Sequence, residues 1–382
     1  MRMGGPSLRG RRATTAAVCS IAVFAAVGCA RFDDTASSPF TPEPTFGSGA
    51  EVQPKEPSAP SPTAPSPSVP DDPCFDRDPN VVATCLDSTG GLVMLPDGGS
   101  AMVTERRTGR ILLVTPGEPP TEFASVPVDS GTDGGLLDIA LSPTFSEDRL
   151  VYAYITTAVD NRVVRIAPGD VPKDVLTGIP RGDVGNAGAL EFSRPGELMV
   201  LTGDAGNPAA AADPGSLAGK LLGVTSLAAT PTPPRPAIVL SGLGRAGGVC
   251  TDAEGAVWVA DRTVLEDRLQ RVRTDGTTGG APVWTWPDKP GVAGCTVAGG
   301  AVAIALTDAQ AVAVLTTDRE TGSVSSAPAL LAQKLYGRLG DVTISGEGQI
   351  WASTVNKSGG APVSTDDRVV KLPLPSGGGG FD

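Results

Sequence analysis

The chain has 382 residues, 42 acidic against 30 basic side chains, and no histidine. The missing imidazole excludes Ser-His-Asp and Cys-His catalysis, the usual zinc ligand sets and a histidine general base, while the acidic balance sets the chain against nucleic acid as a partner. Glycine (49) and proline (36) are abundant and aromatics scarce at 4%, which favours many short strands and turns over long helices.

In chain order, Arg2, Arg9, Arg11 and Arg12 form a positive segment, Ala13 to Val27 an apolar one, and Ala26-Val27-Gly28-Cys29 a lipobox-like site. The pattern is similar to a bacterial lipoprotein signal, in which residues 1–28 are removed and Cys29 becomes the acylated first residue. Loss of residues 1–28 removes four arginines and no acid, taking the formal charge from −12 to −16. The expectation is an exported monomer on the outer face of the cell membrane, held there by lipid on Cys29. Residues 29–73 follow as a linker: Ala30 to Pro73 carries eleven prolines among Ser, Thr, Ala and acids, a composition that extends rather than packs.

Cys19 leaves with the signal and Cys29 is acylated, so Cys74, Cys85, Cys250 and Cys295 remain, an even number in an oxidising compartment. Three pairings are possible. Cys74 with Cys85 and Cys250 with Cys295 is preferred, because each pair is close in sequence and flanks adjacent strands. Metal binding by these four is the weaker alternative, since no CxxC occurs and no histidine completes a site.

From Cys74 the chain reads as β throughout. Six units open at Gly91, Gly135, Gly188, Gly248, Cys295 and Asp341, spaced by roughly 45 to 60 residues, each a strand, a glycine-containing turn, a strand and a third strand. Both faces of these strands are apolar, so an isolated unit would leave one face wet and stacking in a ring buries both. The expected fold is an all-β, six-bladed β-propeller over residues 74–373, closed by Arg368 to Leu372 lying near Cys74 to Leu86, with a glycine-rich tail at 374–382. The best helical candidate, Ala209 to Leu222, reads as a loop with at most a turn or two. Gly242-Leu-Gly-Arg-Ala-Gly247 fits GxGxxG, but a hairpin pattern follows it where a dinucleotide site needs a helix.

Several segments in one order carry a family resemblance. Thr104-Glu-Arg-Arg-Thr-Gly-Arg-Ile, Gly134-Gly-Leu-Leu-Asp-Ile-Ala-Leu-Ser-Pro-Thr-Phe, Thr202-Gly-Asp-Ala-Gly, Ser216-Leu-Ala-Gly-Lys-Leu-Leu and Gly337-Arg-Leu-Gly-Asp-Val resemble motifs of the glucose/sorbosone dehydrogenases. The resemblance implies a six-bladed propeller that binds pyrroloquinoline quinone (PQQ) at its central opening, often with calcium, and oxidises sugars by hydride transfer. Departures fall where that chemistry would occur. The position of the family's loop histidine is Gly185, followed by Asn186 in register; an arginine position is Gly244, with Arg245 one place late; and Arg338 is kept while its partner arginine is Gly340.

By the same resemblance, Arg338, Arg245, Lys220 and Asn186 are the candidate cofactor contacts, and Trp284 and Trp286 candidates to line the opening. Glu266 and Asp267, in a DELN-like segment, are the candidate calcium ligands. Asp183 and Asp204 are the candidates to replace the missing base. The expected function is ligand binding or scaffolding at the cell envelope by a lipid-anchored propeller without the family's catalysis. The alternatives are an active PQQ-dependent sugar dehydrogenase with a non-histidine base, and a module that engages only other proteins.

Overall fold

A computed structural model describes residues 73–228, 235–245, 247–272, 281–319 and 321–372. The signal segment, Cys29, the proline-rich linker as far as residue 72 and the tail from 373 lie outside the described residues.

The described chain forms 24 strands in six four-stranded antiparallel sheets. A short strand β1 (Val81–Ala83) comes first, then blade one with β2 (Thr89–Met94), β3 (Ala101–Glu105), β4 (Arg110–Val114) and β5 (Thr121–Ser125). Blade two holds β6 (Leu136–Leu141), β7 (Val151–Thr156), β8 (Asn161–Ile166) and β9 (Lys173–Ile179), with one helical turn, α1 (Phe145–Asp148), after β6. Blade three holds β10 (Gly188–Arg194), β11 (Glu197–Thr202), β12 (Lys220–Val224) and β13 (Ala237–Ser241), with α2 (Pro208–Ala212) between the middle two. Blade four is β14 (Val249–Thr251), β15 (Val257–Arg262), β16 (Asp267–Val272) and β17 (Trp284–Trp286); blade five is β18 (Val292–Ala298), β19 (Ala301–Leu306), β20 (Ala311–Thr316) and β21 (Ala329–Leu331). Blade six takes β22 (Leu339–Ile344), β23 (Ile350–Thr354) and β24 (Val369–Lys371), and β1 completes it through Val81↔Val370 and Ala83↔Val369.

The first strand of every blade touches the first strands of both neighbours, β2 to β6, β10, β14, β18, β22 and back to β2, which closes the ring. Alternation along the strands places one apolar set on each side of a blade. The buried side chains accordingly group into six cores, one between each adjacent pair of blades. Trp258, for example, packs with Cys250, Cys295 and Val302 between blades four and five. Ring closure is thus an energetic requirement: opening any one joint would expose a whole core.

Both expected disulfides are formed, Cys74–Cys85 and Cys250–Cys295, with Cα atoms 5.4 and 5.7 Å apart. The second ties β14 to β18 across the joint of blades four and five. The loop over 209–222 contains α2, whose N-cap Asn207 side chain accepts from Ala210 N, and Pro208 opens the turn. The expectation errs at its end, because Lys220 to Leu222 is the start of β12 and pairs with Leu240 and Ser241. Gly242 to Gly247 forms the connection between β13 and β14, with no helix behind it.

Candidate functional site

The ring of first strands surrounds a central cavity of about 1170 Å³, lined from every blade. Five of the six first strands carry a register shift, at Thr89/Leu92, Leu136/Asp138, Phe192/Arg194, Val292/Cys295 and Leu339/Asp341. Such bulges turn side chains out of the sheet plane.

Two of the turned side chains are acids that join blades. Asp138 accepts from its own Ile139 N (2.8 Å) and from Leu190 N of blade three (2.7 Å). Asp341 accepts from Val342 N (2.8 Å) and from Leu92 N of blade one (2.7 Å). Glycines supply the room: a Cβ at Gly91 would strike the Asp138 carboxylate, and one at Gly294 that of Asp341. Glu191 on β10 accepts from Thr251 Oγ1 of blade four (2.8 Å). Burial pushes Glu191 and Asp341 each up to about 7. Asp138 is raised well above the carboxylate range, by burial first and by the charge of Asp341 second.

Above this acid waist, the loops entering the first strands and the turns between second and third strands form the mouth. Among the described residues, six cationic side chains line it: Arg106, Arg245, Arg262, Lys289, Arg338 and Lys357. Arg106 donates to Gly134 O (2.6 Å) and Thr132 O (3.3 Å), and Lys357 Nζ to Leu86 O (2.6 Å). Arg262 donates to the carbonyls of Gly291 and Val292 and to Thr307 Oγ1. Arg338 pairs with Asp308 (2.6 Å).

The loop before β10 is pinned by Asp133. Its carboxylate accepts from Gly185 N (2.6 Å), Asn186 N (3.3 Å) and Asn186 Nδ2 (2.6 Å). Gly185 has φ +76°, and a Cβ there would lie 2.5 Å from Asp204 Oδ1, 2.8 Å from Gly206 N and 3.1 Å from Ala205 N. At Gly244 a Cβ would meet the Arg262 carbonyl, and at Gly340 it would lie 2.5 Å from Val355 Cγ1. These glycines are therefore sites of close approach, where side chains have no room.

Of the residues expected from sequence, Arg338, Arg245, Asp204 and Asp267 line the cavity. The others lie elsewhere. Lys220 is fully buried, and its ammonium donates to the carbonyls of Ala210 (3.1 Å), Ala211 (2.6 Å) and Ala218 (2.9 Å), away from the cavity. Asn186 is likewise buried and spends its amide on Asp133, Gly182 and Asn161. Asp183 sits exposed on the preceding turn.

Glu266 and Asp267 do not converge as calcium ligands. The Glu266 carbonyl closes a turn with Thr263, whereas the Asp267 carboxylate accepts from Gly291 N (2.7 Å) and Val292 N (3.0 Å) of blade five. Among the described residues no cluster of three or more His, Cys, Asp or Glu side chains is arranged to hold a metal. Trp284 and Trp286 pack edge to face (6.3 Å) on the core between blades four and five rather than in the opening. Sequence reasoning overlooked Arg106, Arg262, Lys289 and Lys357, each an isolated cation in a different loop or strand end.

Residues 86–261 match the Glucose / Sorbosone dehydrogenase family. Among solved structures, the PQQ-bound aldose sugar dehydrogenase of Streptomyces coelicolor is 29% identical with a TM-score of 0.69, over 76% of this chain and 96% of that one. An oxidoreductase (glucose dehydrogenase) of Thermus thermophilus is 26% identical with a TM-score of 0.68, over 77% and 98%. The soluble aldose sugar dehydrogenase of Escherichia coli, 18% identical with a TM-score of 0.65 over 77% and 98%, shares the fold. No curated protein matches. The chain is thus a closed six-bladed β-propeller that is similar in fold to these sugar dehydrogenases and matches the glucose/sorbosone dehydrogenase family over residues 86–261.

Proposed function

We propose that the protein is a lipid-anchored, extracytoplasmic propeller that binds a small ligand in its central cavity without the hydride-transfer chemistry of its relatives. The observation that carries this reading is the crowding at Gly185. Abstracting a hydroxyl proton needs a base within hydrogen-bond reach of the substrate. At the position where the resemblance implies that base, the space is taken by Asp204 and by the amides of Ala205 and Gly206. The calcium part of the implied centre does not fit either, since Glu266 stands apart from the cavity lining and no group of three or more His, Cys, Asp or Glu side chains converges among the described residues. What supports binding is the cavity itself, larger than most small-ligand sites and lined by charged groups from all six blades.

The test is a titration of purified full-length protein with PQQ and calcium, followed by dye reduction with aldoses. Binding without turnover supports the reading. Saturable micromolar binding with sugar-dependent dye reduction overturns it in favour of an active dehydrogenase, for which Asp204 is the one candidate base that lines the cavity. Absence of all small-ligand binding favours a module for other proteins. Anchoring has its own test: Cys29→Ala is expected to move the protein from the membrane fraction to the soluble one, and an unchanged distribution defeats it.

A further inference from the structure

Followed round the mouth by blade, the charged side chains are unevenly spread. Blades four, five, six and one contribute six cations, Arg245, Arg262, Lys289, Arg338, Lys357 and Arg106, with Asp267 and Asp308 among them, whereas blades two and three contribute Asp133 and Asp204 and no cation. The arc of those four blades is cationic on balance, six positive side chains against the carboxylates of Asp267 and Asp308. Asp267 accepts from two backbone amides, and Asp308 pairs with Arg338. Arg106, Arg262, Lys289 and Lys357 donate to carbonyls and hydroxyls. Among the described residues, Arg338 is the one of the six with a carboxylate at ion-pair distance, and its buried Nε still has no acceptor.

A guanidinium or ammonium bonded to neutral oxygens keeps its full charge, and a low-dielectric cavity wall concentrates the resulting field. A chain with a formal charge of −12 thus carries an inward-facing positive arc. Opposite it, Asp204 and Asp133 accept from N–H groups and keep lone pairs for further donors. Sugar hydroxyls are donors of that kind. A cavity of about 1170 Å³ has room for more than one ring.

We infer that the ligand is an anionic polyol of the acidic-sugar class, its carboxylate on Arg338, Lys357 and Arg106 and its hydroxyls on Asp133 and Asp204. This inference rests on the ligand-binding reading above and names the substrate class for that same cavity.

The experiment is calorimetric titration of the full-length protein with a uronic-acid disaccharide and with its neutral counterpart, at low and at physiological ionic strength. The acidic sugar is expected to bind at least about tenfold tighter, and to weaken as salt screens the arc. The Arg106→Gln/Lys357→Gln pair is expected to lose about tenfold in affinity. Arg107→Gln is expected to lose none, because that guanidinium pairs with Asp87 and does not line the cavity. The salt dependence of the unaltered protein keeps the test independent of how the variants fold. Equal binding of both sugars overturns the ligand class and leaves the binding reading standing. Binding of neither overturns both. Dye reduction driven by the acidic sugar keeps the ligand class and overturns the loss of catalysis.

Discussion

The Asp204 carboxylate lies where a side chain at Gly185 would begin, with Oδ1 2.5 Å from an ideal Cβ, and the left-handed φ of +76° at Gly185 is one that favours glycine. Gly185→Ala is therefore expected to destabilise the fold by about 1–3 kcal/mol, through both crowding and backbone strain. Urea denaturation checks the magnitude. Gly185→His should cost at least as much and yield no dye reduction with PQQ and aldoses, whereas a gain of turnover would show that the loop can reopen.

Lys220 offers a cleaner separation of structure from binding. Its ammonium satisfies three buried carbonyls, and burial lowers its pKa. Lys220→Met keeps much of the volume but removes the donor of the Ala218 carbonyl and the second donors of Ala210 and Ala211, which keep backbone N–H groups of Asp213 and Gly242, at a cost of about 1–3 kcal/mol. Ligand affinity in the cavity should be unchanged. A large affinity loss at unchanged melting temperature would return Lys220 to the binding machinery.

The acid waist sets a pH dependence. Glu191 is raised from 4.5 and Asp341 from 3.8, each to about 7, with burial the largest cause in both. Between those values the native state holds protons that the unfolded chain has released, so stability falls as pH rises. The contribution is complete below about 4 and gone once pH passes about 7. Glu191→Gln retains an acceptor for Thr251 and removes one titrating group. It should flatten the pH profile of the melting temperature and raise stability above about pH 7; an unchanged slope between about pH 5 and 7 would mean that Glu191 does not titrate there.

The two disulfides should differ in weight. Loop-closure entropy grows with the span, so the 45-residue separation of Cys250–Cys295 is worth about 4 kcal/mol and the 11-residue separation of Cys74–Cys85 about 3. Cys250→Ala/Cys295→Ala should lower the melting temperature more than Cys74→Ala/Cys85→Ala. The reverse order would show that the closure of blade six, and not the joint of blades four and five, limits stability.

How much of this was legible beforehand depends on whether the signal is local. Strand alternation and glycine turns are local, so the six units, the closing pair of β1 and β24 and the cysteine pairing could all be read from sequence. The mouth is not local. Arg106, Arg262, Lys289 and Lys357 come from separate loops and strand ends with no shared spacing, so only the ring brings them together. Residue type also says nothing of direction. Lys220 and Asn186 follow motif positions faithfully, yet both turn into the protein to satisfy backbone and loop groups. At Gly185 the sequence shows the absent imidazole, while the occupied space becomes visible only once Asp204 folds back towards it.

The clasp of blade six has a mechanical consequence. β1 is held to β24 through two residue pairs only, Val81↔Val370 and Ala83↔Val369, which would make a poor grip for anything tugging on the chain before it. Cys74 and Cys85 bracket that strand, however, and their bond carries tension from the residues ahead of Cys74 straight to Cys85. There Cys85 N holds the Thr365 carbonyl, and Leu86 and Asp367 exchange backbone hydrogen bonds. Load applied ahead of Cys74 therefore bypasses β1, and the strand that closes the ring lies outside the path along which such a force would travel.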